Sequence, residues 1–249
     1  QNYQEKVSFG SITTPAYAFT NQVAAGYGEL SYRMFPKWYL DAGLRYTLNT
    51  QSVSFLEPRA ALSFQLDKQQ TASLSYGILH QQPTEEVQKF QSDLPWQKAN
   101  HLILQYSYAA AGKQLRLELF RKSYAQLVRF ERGDANFAQP YHTDGDGLVN
   151  GLDVFWRDNR SVRNLQYWIS YSWTHARKWE RDYAFAVQPP YVAEHYASLV
   201  AKYWISSLRS QVGLTNTISS GRPYHDPNQV GYVQEFTKPI NTLSMNWSY

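Results

Sequence analysis

Six histidines are the side chains of this sequence best suited to metal binding or acid–base chemistry. They are scattered along the chain, at His80, His101, His142, His175, His195 and His225. None has a second histidine two or four positions away, the spacings that place two imidazoles side by side on a strand or a helix. The chain has no cysteine to act as a thiolate ligand or nucleophile. The sequence therefore predicts no catalytic residue, no metal ligand and no cofactor.

One short acidic run, DGDG at Asp144–Gly147, is similar to the beginning of a calcium-binding loop. A complete loop of that kind has twelve residues and ends on a bidentate glutamate. The glutamate is missing at that position of this sequence. We therefore expect Asp144–Gly147 to form a flexible loop.

Segments that mix aromatic and polar residues are better candidates for binding a ligand. Aromatic rings stack on sugars or planar organic groups, and arginine pairs with carboxylate or phosphate. Candidates of this kind lie in long segments between the predicted strands. They are Trp96, Tyr141, His142, Trp179, Arg181, Arg222, Tyr224 and His225.

The segments between these candidates read as β-strands, because apolar and polar residues alternate in them with a period of two. Leu165, Tyr167, Ile169, Tyr171 and Trp173, for example, alternate with polar or smaller residues. We count about twelve such strands, many of ten or more residues, whereas strands of globular proteins peak at about five or six. A strand that crosses a membrane needs about 9–11 residues. Strand length therefore favours a membrane protein.

The connections between strands alternate between short and long. The short ones are Pro36-Lys37, Asp67–Gln69, Ala110–Lys113, Asn159–Arg163 and Ser206-Ser207. The long ones are Ser11–Gln22, Thr50–Leu56, Gln82–Ala99, Glu131–Gly147, Trp179–Pro190 and Arg222–Lys238. Short turns at one end and long loops at the other are typical of outer-membrane barrels. The sequence thus predicts an all-β fold, a transmembrane antiparallel up-and-down β-barrel.

Charged residues fall between the apolar positions of several strands, so they would point into the barrel lumen. They are Asp41, Arg45, Arg59, Arg116, Glu118, Asp153 and Arg157. On the lipid face near the midplane, each arginine would cost about 2–4 kcal/mol. The lumen is wet or filled by polar protein, and it accepts both signs of charge.

Composition agrees with this prediction and excludes other classes. Net charge is +4, spread without a run of Lys or Arg, which gives little support for nucleic-acid binding. No stretch approaches the ~18 consecutive apolar residues of a transmembrane helix, and mean hydropathy is −0.55. The 20 Tyr, 12 Phe and 8 Trp suit the aromatic girdles of a barrel, although aromatic residues also have high strand propensity.

Several segments, in order along the chain, resemble the barrel of TonB-dependent outer-membrane receptors, especially the Bacteroidetes-type branch. They are LEPRAALSFQL, SLSYGILHQQP, LRLELFRKSYAQL, GLVNGLDVFWRDN, YWISYSWTHAR and SSGRPYHDP. The resemblance implies a non-enzymatic receptor in the bacterial outer membrane that imports a scarce nutrient: a ferric siderophore, haem, cobalamin or an oligosaccharide. It also implies a TonB complex as energy-coupling partner, contact with outer-membrane lipid, and lumen charges that face a plug domain.

The sequence departs from that family in two respects. No segment resembles a plug domain, and about twelve strands are fewer than the twenty-two of the family barrel. We therefore expect residues 1–249 to be a segment of the barrel domain, with the plug absent from this chain. The alternative is a self-contained twelve-stranded barrel, acting as a passive porin-like channel or an outer-membrane hydrolase.

Overall fold

The computed structural model describes residues 22–49, 54–130, 141–226 and 234–249 together with the backbone of four short N-terminal strands. Of these short strands, β1 (Asn2–Glu5) pairs with β4 (Tyr17–Thr20), and β2 (Ser8–Phe9) pairs with β3 (Ile12–Thr13). The remaining strands form the main sheet and one small hairpin.

The main sheet has eleven strands, and every neighbouring pair is antiparallel. In chain order they are β5 (Val23–Phe35), β6 (Trp38–Asn49), β7 (Ser54–Gln65), β8 (Gln70–Gln81), β9 (Gln97–Ala110), β10 (Lys113–Phe130), β11 (Tyr141–Asp158), β12 (Leu165–Trp179), β13 (His195–Ile205), β14 (Ser210–Ser219) and β17 (Ile240–Ser248). A hairpin of β15 (Pro223–His225) and β16 (Gln234–Phe236) lies between β14 and β17 in the chain. The sheet is open, with β5 and β17 at its edges. The predicted antiparallel up-and-down architecture is confirmed.

Tight turns join the strands at one end of the sheet, as predicted. Pro36 and Lys37 alone connect β5 to β6, and Ala111 and Gly112 alone connect β9 to β10. Both residues of the second turn have positive φ, 49° and 80°, which matches the right-handed twist of a hairpin. Between β13 and β14, a single 3₁₀ turn (Ser206–Leu208) precedes the left-handed Arg209. We call this end of the sheet the short-turn end.

The two faces of the sheet differ in chemistry because paired residues share a face. One row that crosses eight strands is almost entirely apolar. It consists of Tyr32, Leu40, Leu62, Leu74, Leu104, Leu119, Leu152 and Trp173. We call this the apolar face and its opposite the polar face. Among the described positions, charged side chains occur on the apolar face only toward its two ends.

The apolar face is uncovered by any other part of the described chain. Leu30, Leu104 and Leu119 are 62%, 49% and 50% exposed. So large a continuous apolar surface needs an apolar environment. In the described ranges, no helix is long and apolar enough to cross a membrane.

Some predicted loop positions proved to be strand. Asp144–Gly147 was expected to be a flexible loop, and this is wrong, because these residues belong to β11 and pair with β10 and β12. Gln97 and Lys98 belong to β9, and the connection before β7 is short because that strand begins at Ser54. Strand pairing thus continues beyond the apolar face, where the period-two signal fades. Parts of the other predicted long segments, including residues 131–140, lie outside the described residues.

Candidate ligand-binding site

Side-chain burial in the described chain concentrates at the end of the sheet opposite the short turns, which we call the long-loop end. Two connections fold back there over the strands: the first loop, residues 82–96, and the second loop, residues 180–194. The buried apolar residues of these loops and their neighbouring strands are Leu94, Trp96, Leu127, Val128, Val149, Ala176, Tyr183 and Val187. The loops are therefore packed elements with small cores of their own.

The first loop contains a one-turn helix, α1 (Glu85–Gln88). Its Trp96 is only 8% exposed, and the indole ring lies 4.8 Å from Phe55, which in turn stacks on His80 at 4.4 Å. Trp96 was predicted to contact ligand. The structure places it within this loop core, so its contact with ligand stays a prediction.

Five backbone hydrogen bonds join the second loop to β10 and β12, one of them from the Thr174 amide to the Glu194 carbonyl at 2.8 Å. The Phe130 amide donates to the Arg181 carbonyl at 2.9 Å, and the Arg181 amide donates to the Val128 carbonyl at 2.8 Å. Lys178 and Val187 exchange a pair of such bonds at 2.8 and 3.0 Å. Arg181 adopts a left-handed backbone with φ of 55°, which turns the chain back toward β10.

Arg129, near the end of β10, connects three of the predicted ligand residues. Its guanidinium lies 3.5 Å from the centre of the Trp179 ring. In strand pairing it lies opposite His142, and it forms a β-bridge with Arg181. A 2.8 Å ion pair with Asp144 completes its contacts. Sequence reasoning missed Arg129 because it named only residues in the segments predicted as loops.

Tyr141 joins the same group and connects it to the first loop. Its ring lies 5.9 Å from Phe130 and 6.4 Å from Phe90 of the first loop. Its amide donates to Gln91 Oε1 at 3.3 Å. The structure therefore brings together Tyr141, His142, Trp179 and Arg181, four of the eight predicted ligand residues.

The other three predicted ligand residues lie on or just before the β15–β16 hairpin, a separate two-stranded sheet that follows β14 in the chain. Tyr224 donates its hydroxyl proton to Glu235 at 2.6 Å, which raises the pKa of that phenol. The Arg222 amide donates to Thr237 Oγ1 at 2.9 Å, and the Arg222 side chain is exposed. His225 pairs with Gln234.

A second group, missed by sequence reasoning, lies on the polar face at the long-loop end. The Lys178 ammonium lies 4.5 Å from the Tyr124 ring and 5.8 Å from the Tyr191 ring. It donates to the Tyr191 hydroxyl at 3.2 Å, and that hydroxyl donates to Glu180 at 3.0 Å. Burial and the Glu180 charge raise the pKa of Tyr191 well above its usual range. We call these four residues the Lys178 cluster.

Aromatic and cationic side chains continue from the Lys178 cluster down the polar face. His101 lies 6.4 Å from Tyr124, edge to face, and Lys122 lies 4.6 Å from the Phe120 ring. His101 and Lys122 are direct partners across β9 and β10. This part of the face can bind an anionic group and stack on a flat one. These residues could have been found from the sequence by continuing the apolar/polar alternation of β10 and β12 toward the long-loop end.

The seven charges predicted to point into a lumen all share the polar face. They are Asp41, Arg45, Arg59, Arg116, Glu118, Asp153 and Arg157. Asp41, Arg45 and Arg59 line a cavity of about 650 Å³. Two of the arginines have partners within the wall, because Arg59 pairs with Glu29 and Arg45 lies 3.6 Å from Glu57. Their facing a lumen or a plug stays a prediction.

In the described ranges, no three His, Asp or Glu side chains gather in a way that could hold a metal ion. Glu118 and Asp153 are direct cross-strand partners on the polar face.

A long-stranded antiparallel meander with a bare apolar face, tight turns at one end and longer loops at the other is typical of the wall of an outer-membrane barrel. The chain belongs to the TonB dependent receptor-like, beta-barrel family, which matches residues 1–249. This family consists of outer-membrane receptors for small-molecule ligands that work with TonB. The predicted family is confirmed, and so is the assignment to a class of receptors and not of enzymes.

Solved structures with this fold include a mutant of the ferric enterobactin receptor PfeA from Pseudomonas aeruginosa. Its TM-score is 0.75, at 11% identity over 99% of this chain and 40% of that one. The siderophore receptor PiuA from Acinetobacter baumannii gives 0.75, at 14% identity over 94% of this chain and 38% of that one. The FrpB iron transporter from Neisseria meningitidis gives 0.71, at 13% identity over 92% and 37%.

At these identities the likeness shows the fold alone. The chain spans about two fifths of the length of these structures. No curated protein sequence matches it.

Proposed function

We propose that this chain forms part of the barrel wall of an outer-membrane receptor that binds a ferric siderophore and imports it with energy from TonB. Family membership over residues 1–249 supports the receptor role. The names of the similar structures, a ferric enterobactin receptor, a siderophore receptor and an iron transporter, support an iron complex as the ligand. On this proposal the apolar face contacts lipid, and the rest of the barrel and the plug come from other residues of the receptor.

The observation that carries the proposal is the aromatic and cationic character of the polar face at the long-loop end. The Lys122 ammonium lies against the Phe120 ring, and Lys178, which also pairs with Glu180 at 3.7 Å, lies against the rings of Tyr124 and Tyr191. An anionic complex that carries flat organic groups fits both features, through charge attraction and stacking. Haem shares this chemistry in part. Cobalamin and oligosaccharides carry little or no negative charge, and they fit less well.

The lumen charges have a separate role in this proposal. Arg45 and Arg59 already pair within the wall. Among the described residues, the side chains of Arg116, Glu118 and Asp153 have no ion-pair or hydrogen-bond partner, and all three lie on the polar face of β10 and β11. Glu118 and Asp153 are also like charges directly opposite each other, an unfavourable arrangement when left alone. We propose that these three residues contact the plug domain.

The test uses the full-length receptor in a strain deleted for its own copy. Tyr124→Ala and Lys122→Ala remove a ring and a charge from the proposed site, and each is expected to weaken siderophore binding about tenfold, or about 1.4 kcal/mol. Lys202→Ala is the matched control, because Lys202 also lies near an aromatic ring on the polar face, 5.5 Å from Trp168, but on β13, which ends at the short-turn end.

Two measurements separate the parts of the proposal. Binding of a labelled ferric siderophore to whole cells tests the site, and uptake in cells with and without TonB tests the coupling. In cells without TonB, we expect the wild-type receptor to bind the siderophore as before but to take up none of it. If the deletion strain still grows on every iron source but no longer grows on one glycan, the ligand is not an iron complex.

A further inference from the structure

Two arginines lie on the apolar face at its boundary with the long-loop end. Arg121 follows Phe120, and the Phe120 ring covers Gly151 on the polar face. Arg177 precedes Lys178, whose side chain covers Gly147 on that same face. Since neighbouring residues of a strand point to opposite faces, Arg121 and Arg177 both belong to the apolar face. Both are exposed.

Strand pairing fixes the level of these arginines. Arg121 lies in one row with Asn150 and His175, and Arg177 lies two residues nearer the loops, opposite Leu148. Two strand spacings and two residue steps separate their Cα atoms, roughly 12 Å. Between this level and the Lys113–Asp158 pair beside the short turns, the paired positions of the described apolar face carry no Asp, Glu, Lys or Arg. The pair thus marks the upper limit of the uncharged band.

Both guanidinium groups lack a partner among the described residues, whereas their neighbours have one. His175 lies 3.4 Å from Glu194, and the Trp173 indole donates to the same carboxylate at 3.3 Å. The side chains of Arg121 and Arg177 have no hydrogen bond, ion pair or ring contact in the described chain. Each therefore presents a full set of five N–H donors at the edge of an apolar surface.

Phosphate on a lipid headgroup is the anion that this position would meet. An arginine fork binds phosphate through two parallel hydrogen bonds. Long loops mark the extracellular end of an outer-membrane barrel, so the pair would lie at the level of the outer-leaflet headgroups. Basic side chains just outside the hydrocarbon region attract anionic lipids.

We propose that Arg121 and Arg177 together form a binding site for the phosphate groups of outer-leaflet lipid, on the outside of the barrel. This inference rests on the outer-membrane placement in the proposed function, but it does not depend on the identity of the imported nutrient. The site holds lipid beside β10–β12, and so supports the strands that carry the Arg129 contacts and the Lys178 cluster.

The test measures lipopolysaccharide that remains bound to the full-length receptor after extraction in detergent. Arg121→Gln with Arg177→Gln is expected to lower the bound lipopolysaccharide at least threefold. Arg160→Gln with Arg163→Gln is the matched control, because these exposed arginines lie at the short-turn end. The control is expected to retain the wild-type amount. Equal retention by both double variants would overturn the proposal.

The unfolding temperature distinguishes binding of lipid from binding of a free anion. It can be measured on the wild-type receptor, so it does not depend on how well the variants fold. Lipopolysaccharide vesicles are expected to raise the unfolding temperature of wild type and control, and inorganic phosphate at the same phosphate concentration is expected to have no effect. The same shift with inorganic phosphate would overturn the lipid as ligand. The pair Arg121→Lys with Arg177→Lys keeps the charge, and we expect partial retention; complete retention by this pair would exclude the bidentate geometry.

Siderophore uptake by the glutamine variants separates this inference from the proposed function. Uptake that persists while bound lipopolysaccharide falls supports both. If even the wild-type receptor takes up no siderophore, the proposed function fails, while the lipid measurement still decides the lipid site.

Discussion

The guanidinium of Arg129 lies 3.5 Å from the centre of the Trp179 ring, although the two residues belong to strands separated by β11. Asp144 on that middle strand forms a 2.8 Å ion pair with the same guanidinium. One side chain therefore joins the ends of three strands, at the point where the second loop leaves the sheet. The conformation of the second loop therefore depends on contacts with the strands beneath it.

Arg129→Ala is expected to loosen the second loop. A cation–π contact that is partly shielded from water contributes about 1–2 kcal/mol, and the substitution also leaves Asp144 without its partner. We expect faster protease cleavage within residues 180–194 of the folded, detergent-solubilised receptor. Arg163→Ala, an exposed arginine at the short-turn end, is the control. Equal cleavage rates for the two variants would show that the stacked pair does not hold the loop.

We predict that Gly145 cannot be replaced by another residue, because the backbones of β10 and β12 lie close to it on both sides. A Cβ added there would lie 2.3 Å from the Trp179 carbonyl oxygen and 2.7 Å from the Leu127 carbonyl oxygen. These are backbone atoms beside the register shift in β10, so they cannot move away cheaply. We expect Gly145→Ala to lower the unfolding temperature by several degrees.

Gly26→Ala provides the comparison for Gly145→Ala, because nothing lies within 4 Å of a Cβ at position 26. Alanine there is expected to leave the unfolding temperature unchanged or slightly higher, since glycine weakens a strand interior. A Gly145→Ala receptor as stable as Gly26→Ala would mean that β10 and β12 shift apart without cost.

Alternation was enough to predict the strands wherever one face is apolar and the other polar. The strand of Leu165–Trp173 was predicted for this reason, and its pairing with β11 and β13 confirms it. The signal fails beyond the apolar face, because both faces there contact polar protein or water. Asp144–Gly147 pairs as strand through its neighbours β10 and β12, and no local pattern in that run indicates this.

The candidate site was predictable only in part. Mixed aromatic and polar composition identified Tyr141, His142, Trp179 and Arg181, which the structure gathers around Arg129. The burial of Trp96 against Phe55 depends on a contact between distant residues. The two residues are 41 positions apart, so composition and spacing could not indicate the contact.

Glu57 is predicted to replace a missing part of the sheet ladder. Pairing between β7 and β8 stops at Arg59 and Gly77, next to Pro58, which has no N–H to donate. The Glu57 carboxylate instead accepts the His80 amide at 2.6 Å.

Glu57→Ala leaves the His80 amide without its acceptor, at a cost of about 1–3 kcal/mol. Glu57→Gln keeps an oxygen that can accept the bond, and we expect it to lie between alanine and wild type. Hydrogen exchange at the His80 amide is the measurement, and the expected order of protection is wild type, then Gln, then Ala. Unchanged exchange in Glu57→Ala would show that water satisfies this amide equally well.

Asp158 closes the short turn between β11 and β12 through its charged form. Its Oδ1 accepts the amides of Arg160 and Ser161 at 2.8 and 2.9 Å. The hydrogen bonds from Ser161 and then from Arg160, with a smaller contribution from the Lys113 charge, lower the pKa of Asp158 from 3.8 to about 2. Because the folded pKa lies below the unfolded one, the ionised carboxylate stabilises the fold above pH 4, and this stabilisation is lost as pH falls toward 2.

Asp158→Asn should therefore lower the unfolding temperature of the detergent-solubilised receptor at pH 6 and have a progressively smaller effect down to pH 2. The amide resembles the protonated acid, so the two proteins converge once the wild-type carboxyl has taken up its proton. Asp93→Asn is the control, since Asp93 is exposed and has no contact partner among the described residues; its difference from wild type should not change with pH. A difference at Asp158 that stays constant from pH 6 to pH 2 would mean that the turn depends on the shape of the side chain and not on its charge.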